Sequence, residues 1–185
     1  MLDVSDAELV TRAQGGEVDA IGNLYDRHRE SIFRYLWLRL GDQPLAEDLT
    51  GDVFMRMLEA LPRYQTLGIP FRAWLYRIAH NLLIDYFRKN GDRAPIPIEV
   101  LEDQGAGDDP TAVVERKLLT ERLNEALSQL DHNQREVVVL RFLMGLSLQE
   151  TALAMSKSEA AIKSLQHRGL SALRHTFHAV EEQVA

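Results

Sequence analysis

The sequence predicts an all-α chain: two small helical domains joined by a flexible acidic linker. Three observations carry that expectation. Apolar residues recur at spacings of three and four through most of the 185 residues, and no stretch alternates with the period of a strand. Serine or aspartate opens the periodic runs, and glycine or proline closes them, as helix termini require. From Arg93 to Asp109 the period is lost, and Pro95, Pro97, Gly105 and Gly107 stand among five acids, with no base from Glu99 onward. The expected division is therefore 1–92, a linker over 93–110, and 111–185.

Taken in order, the elements follow from local signals. Ser5 to Glu8 is a capping-box pattern, and Gly15-Gly16 closes the short helix it opens. Ile21, Leu24, Tyr25, Ile32, Phe33, Leu36 and Leu40 keep helical spacing over 18–40, with a break expected near Arg29 and Gly41 as the stop. Leu49, Val53, Met57 and Leu61 stand four apart in a helix over 45–61 that Pro62 ends. After Pro70, residues 71–89 hold no glycine or proline, and Phe71, Leu75, Ile78, Leu82 and Tyr86 form the core stripe. Beyond the linker, Pro110 starts a helix to about Gln129. A second helix over 131–144 is stopped by Gly145, and its Val137-Val138-Val139 run sits inside a helical period. Ser147-Leu148-Gln149-Glu150 is a second capping box, opening a short helix to Ala154. After a turn at 155–157, Ser158 caps a long helix through Ile162, Leu165, Gly169 and Leu173.

Composition excludes several classes. No apolar run is long enough to span a bilayer, and the acidic N-terminus lacks the pattern of a secretory signal, so a cytoplasmic place is expected. With no cysteine there is no disulfide or thiolate metal site, and the six histidines form no metal-spaced pair, so neither metal nor cofactor is expected. No nucleophile–base–acid set or phosphate-cradling loop marks an enzyme. The net charge of −7 argues against non-specific duplex binding. Its distribution matters more: Arg63, Arg72, Arg77, Arg88, Lys89 and Arg93 face only Asp85 and Asp92, ahead of the acidic linker. Contact with nucleic acid is thus expected to be local and to depend on a partner.

Two segments bear on that contact. In 71–89, Arg77, Asn81 and Arg88 lie beside the core stripe, Asp85 is placed to pair with Arg88, and Trp74, Tyr76, Tyr86 and Phe87 are scattered between the polar groups. Cations neutralise phosphate and rings stack on unpaired bases, so this composition suits a single strand; an ordinary amphipathic helix with solvated arginines is the alternative. Residues 147–173 read as short helix, tight turn, long helix, the geometry of a helix-turn-helix. Its second helix offers Ser158, Glu159, Lys163, Ser164, His167 and Arg168 to base edges or phosphate. A plain helical hairpin is the bland alternative, and a free-standing dimeric helix-turn-helix regulator the rival function.

The chain resembles the sigma-70 family of bacterial transcription initiation factors, above all its small extracytoplasmic-function members, which keep only regions two and four. The likeness rests on Leu45-Ala46-Glu47-Asp48-Leu49-Thr50-Gly51-Asp52-Val53-Phe54, on the helix after Pro70, and on residues 130–173, in the family's order. It implies a dissociable specificity factor for core RNA polymerase, docking on the beta-prime clamp and the beta flap. Glu47, Asp48, Asp52 and Phe54 would face the clamp. The loop of Gln65 and Thr66 would pocket a flipped base of the minus-10 element, with Arg72, Trp74, Tyr76, Arg77, Asn81 and Arg88 serving the melted strand. Ser158, Glu159, Lys163, Ser164, His167 and Arg168 would read the minus-35 element. The family also implies an anti-sigma partner. This chain departs from the family at Ser156 and Lys157, where the turn usually has glycine and an apolar residue, and at Ala161 and Leu165, in place of threonine and arginine. Those departures bear on the promoter sequence read. The tail after Arg174 is short, so no appended ligand-binding domain is expected.

Overall fold

The computed structural model describes residues 4–65, 68–91 and 110–184, without the side chains of 110–113, 116 and 177–184. Thr66 and the linker expected over 93–110, Pro110 excepted, lie outside the described residues. Eight α-helices are described: α1 Asp6–Gln14, α2 Val18–Leu40, α3 Gln43–Ala60, α4 Phe71–Asn90, α5 Pro110–Ser128, α6 His132–Val138, α7 Leu148–Ala154 and α8 Glu159–Val184. A 3-10 turn, Leu61–Arg63, follows α3, and α6 continues into a π turn over Val139–Leu143.

The caps at Ser5, Ser147 and Ser158 are those the sequence announces, and Asp42 and Asp131 add two more, Asp42 starting α3 two residues before the expected Leu45. Ser5 Oγ accepts from Glu8 N at 3.3 Å, Asp42 from Leu45 N at 2.9 Å, Asp131 from Gln134 N at 2.8 Å and Ser158 from Ala161 N at 3.1 Å. Ser147 and Glu150 form the reciprocal box at 3.1 and 2.7 Å. Each cap satisfies an amide that the first turn leaves without a carbonyl. The break expected near Arg29 does not occur. His28 and Ile32 are both buried on the inner face, so the core runs straight past Arg29 and holds α2 as one 23-residue helix. Gly41 ends α2 at φ 70°, its N–H returning to Trp37 O at 2.9 Å.

In the first half, α2 is the spine: α1, α3 and α4 all pack on it, and α3 also packs on α4. In the second, α8 gathers α5, α6 and α7. Gly169 makes the α6–α8 approach possible, since a Cβ there would stand 3.3 Å from Val138 Cγ2 and 3.5 Å from Gln134 O. The halves also touch each other through α4 and α7, and buried side chains of both belong to one continuous apolar core.

That contact corrects the reading of α4. Phe71, Leu75 and Leu82 are buried as expected, with Ile78 and Tyr86 partly buried against them. But Tyr76 and Phe87, expected among the polar groups, are buried too. The helix is covered on two sides, by α2 and α3 and by the second half, so one apolar stripe is not enough.

Candidate nucleic-acid and polymerase interfaces

On α3, the stripe of Val53, Met57 and Leu61 turns inward, while Glu47, Asp48 and Asp52 stay exposed. Phe54 does not share their face: it is 5% exposed, with its ring edge-on to Tyr25 at 4.8 Å. Sequence reasoning missed Met55 and Leu58, which are exposed on the outer side beside the acids. The signal was available, because both are apolar and out of phase with the core stripe. Next to this face, Tyr25, Arg29, Phe33, Gln43, Glu47 and Thr50 line a half-open groove of about 410 Å³ between α2 and α3.

The loop before α4 is built around Tyr64, to which no local sequence pattern points. Its ring stacks on Trp74 at 4.4 Å and 26°, and its hydroxyl donates to Ile69 O at 2.5 Å. From α1, Gln14 Nε2 donates to Leu61 O at 2.9 Å and Tyr64 O at 2.7 Å, which fixes where the loop leaves α3. Gln65 is exposed at its start. Trp74, half-buried, presents one face to Tyr64 and packs beside Phe71 at 5.7 Å. The N-terminal helix is itself anchored by Asp6, which accepts from Arg27 at 2.8 Å and pairs with His28 Nε2 at 2.9 Å. The hydrogen bond with His28 and the contact with Arg27 hold the Asp6 carboxyl below its ordinary range, outweighing burial, which pushes it up.

Along α4 the remaining residues separate into two groups. Asn81 and Arg88 are exposed and Arg77 half-buried, with Arg88 Nη2 donating to Asp85 at 2.9 Å. Arg72 is instead engaged with the other half, and Tyr76 packs inward against α2. Arg72 Nη2 donates to Met144 O at 2.7 Å, its Nη1 lies 3.9 Å from Glu150, and its guanidinium sits 5.8 Å from the Tyr76 ring. Tyr76 is 1% exposed, against Tyr35 at 5.4 Å, so in this arrangement its ring is not open to a base.

The helix-turn-helix places its polar row outward. Ser158, Glu159, Lys163, Ser164, His167 and Arg168 are all exposed, while Ile162, Leu165 and Leu173 are buried. Leu165, which stands where the family commonly has arginine, is thus a core residue of α8. The turn is a Schellman closure of α7: Lys157 N donates to Ala152 O at 2.9 Å and Ser156 N to Leu153 O at 3.3 Å. Ser156 holds the left-handed position at φ 52°, where glycine is the usual occupant. Arg141 props α8 from beneath, donating to Gln166 at 3.0 Å and to Leu146 O at 2.5 Å.

A cluster that sequence reasoning did not find joins the halves. Glu136 of α6 is 0% exposed and accepts from Arg39 Nε of α2 at 2.8 Å and from the Tyr35 hydroxyl, with His80 Nδ1 of α4 at 3.4 Å. Burial pushes the Glu136 carboxyl up, but Arg39, His80 and Tyr35 together hold it far below the ordinary carboxylate range. Burial and then the Glu136 carboxylate drive the Tyr35 phenol well above its usual value. No local pattern links positions 35, 39, 80 and 136, which lie on three helices. Among the described residues, no group of three histidines or acids could hold a metal, and no helix is long and apolar enough to cross a membrane.

Comparison with known proteins agrees with this geometry. The sigma-70 region 2 family profile matches residues 24–93 and the sigma-70 region 4 profile residues 126–175. The chain is 41% identical over 167 residues to the ECF RNA polymerase sigma factor BldN of Streptomyces coelicolor, covering 90% of this chain and 63% of that protein. It is 33% identical over 172 residues to the ECF RNA polymerase sigma factor SigD of Mycobacterium tuberculosis, covering 90% and 81%. Among solved structures, CnrH in complex with the cytosolic domain of CnrY matches with a TM-score of 0.67 at 25% identity, over 96% of this chain and 99% of that one. With both sigma regions matched in order and 81% of SigD covered at 33% identity, the chain belongs to the ECF RNA polymerase sigma factors, the initiation factors that direct the polymerase to promoters.

Proposed function

We propose that residues 1–92 act as region two, 93–110 as the acidic connector and 111–185 as region four of a promoter-specificity factor without chemistry of its own, working in the cytoplasm. The outer face of α3 docks on the polymerase clamp: Glu47, Asp48 and Asp52 meet cationic groups while Met55 and Leu58 supply the apolar centre. Phe54 supports this face from beneath rather than touching the partner. Region four meets the beta flap and lays α8 in the major groove of the minus-35 element, with Lys163, Ser164, His167 and Arg168 toward bases and phosphates and Ser158 and Glu159 at the leading end.

At the minus-10 element, the loop of Gln65 and Thr66 takes a base extruded from the non-template strand, braced by the Tyr64–Trp74 stack. Arg72, Arg77, Asn81 and Arg88 follow the strand along α4, with Tyr76 packed beneath them. Extruding a base costs a few kcal/mol, which stacking and phosphate contacts on this surface offset. The same contacts are unavailable to paired DNA, so binding drives melting. An inhibitory protein of the anti-sigma class is the natural partner of the free chain, as CnrH was solved with the cytosolic domain of CnrY.

The observation that supports this reading most is the segregation of surfaces: α3 and α8 bury their apolar stripes and turn outward the polar rows that the family uses for polymerase and promoter. Run-off transcription with core polymerase tests it. Cognate-promoter transcripts should appear only when the protein is added, and equal transcription with and without it would defeat the reading.

A further inference from the structure

We infer that Gln14 of α1 is a positioning residue for promoter melting: its carboxamide sets the Tyr64–Trp74 stack against which the extruded minus-10 base is received. The inference rests on the base-capture reading above and adds to it a residue outside the loop and α4. Tyr64 is held at three points. Its ring lies on Trp74 of α4, its hydroxyl donates to Ile69 O on the far limb of the loop, and its backbone is clipped by Gln14. The clip is a fork. Gln14 Nε2 donates to Leu61 O at 2.9 Å and to Tyr64 O at 2.7 Å, and a carboxamide nitrogen carries the two hydrogens this needs. A single bond would let the peptide after Tyr64 pivot. Two carbonyls on one nitrogen fix its direction, and with it the way the chain leaves toward Gln65.

The helix that carries Gln14 is a firm support. α1 packs on α2 with Leu9, Val10 and Ala13 buried, and Asp6 ties its first turn to Arg27 and His28 of α2. Gln14 itself is exposed in the last turn, 47 and 50 positions before the carbonyls it holds. Hydrogen bonds at the surface add little to global stability, because water replaces them when they break. What this fork supplies is order. A wall already in place receives a base without the cost of ordering the loop at that moment, so losing the fork weakens strand capture rather than the fold.

Gln14→Met keeps the length and helix propensity of the side chain and removes both hydrogens. The test uses holoenzyme assembled from core polymerase and the full chain. It is titrated with the single non-template strand of a promoter that it transcribes, either intact or with each minus-10 nucleotide in turn made abasic. The wild type should lose roughly fivefold or more in affinity at one position, the extruded base. Q14M should bind the intact strand more weakly and the abasic strand as the wild type does, a penalty of about twofold or less. Its affinity for core polymerase and its circular dichroism should be unchanged. In a Tyr64→Ala background, where no wall remains to be set, adding Q14M should change the penalty no further. A full abasic penalty in Q14M, or independent losses from Q14M and Tyr64→Ala, would overturn the inference. So would loss of the fold in Q14M, which would make Gln14 a residue of stability alone. A wild type indifferent to the abasic site at every position would instead defeat the base-capture reading, and the inference with it.

Discussion

Ser156 shows how much a single backbone position can carry. It occupies the left-handed site of the α7 closure, where a Cβ costs roughly 1 kcal/mol that glycine avoids. Ser156→Gly should therefore raise stability by about 1 kcal/mol in urea unfolding, without moving α8. The departure from the family's turn was visible in the sequence, but the strain it implies was not, because φ depends on how α7 is closed. Asp6 makes a second case. Its carboxyl is held below the ordinary range in the folded chain, so its contribution is present above the unfolded value, near pH 4, and is lost as pH falls through the lowered folded value. Asp6→Asn should flatten that acid limb in a pH series of thermal unfolding while leaving neutral-pH helicity intact. His28, noted in the sequence only for lacking a metal-spaced histidine partner, is buried beside this carboxylate.

For whole helices, α3 and α8 were legible and α4 was only half so. A stripe at three- and four-residue spacing identifies the buried face of a helix that leaves its opposite side exposed, as α3 and the 159–168 part of α8 do. The outward rows follow by exclusion. Met55→Asp should weaken core-polymerase binding by at least about tenfold with helicity unchanged, since the side chain is exposed and its loss opens no cavity. Lys163→Ala combined with Arg168→Ala should lower transcription from minus-35-dependent promoters in run-off assays and leave thermal stability within about 0.5 kcal/mol. Gly169 is the opposite kind of position. A Val side chain there would press into Val138 and Gln134, and Gly169→Val should cost about 2 kcal/mol or more in denaturant. On α4, burial on two sides breaks the one-stripe rule, so Tyr76 and Phe87 looked like strand-binding aromatics.

Across the molecule, the two halves share one core and one buried carboxylate, so they are coupled in this arrangement. Unfolding of the wild type in urea at neutral pH should therefore follow one transition. Charge removal at Glu136 should separate the transitions of the two halves, because removing one member of a buried pair costs about 3 kcal/mol of the coupling. The sign with pH follows from the lowered carboxyl: coupling persists through the neutral range and fails only below the ordinary carboxylate value, as Glu136 takes up a proton.

Helix positions, caps, the helix-turn-helix and the family were all written in local spacing. Each depends on residues within a few turns of one another, and the backbone's hydrogen-bonding demands are the same in any fold. The closing of region four over α4, the burial of Tyr76 and the meeting of Tyr35, Arg39 and His80 with Glu136 were decided only by tertiary packing. Arg39 and Glu136 stand 97 positions apart, and no period or motif connects them. Their attraction becomes specific only once folding has removed both from water and set them face to face.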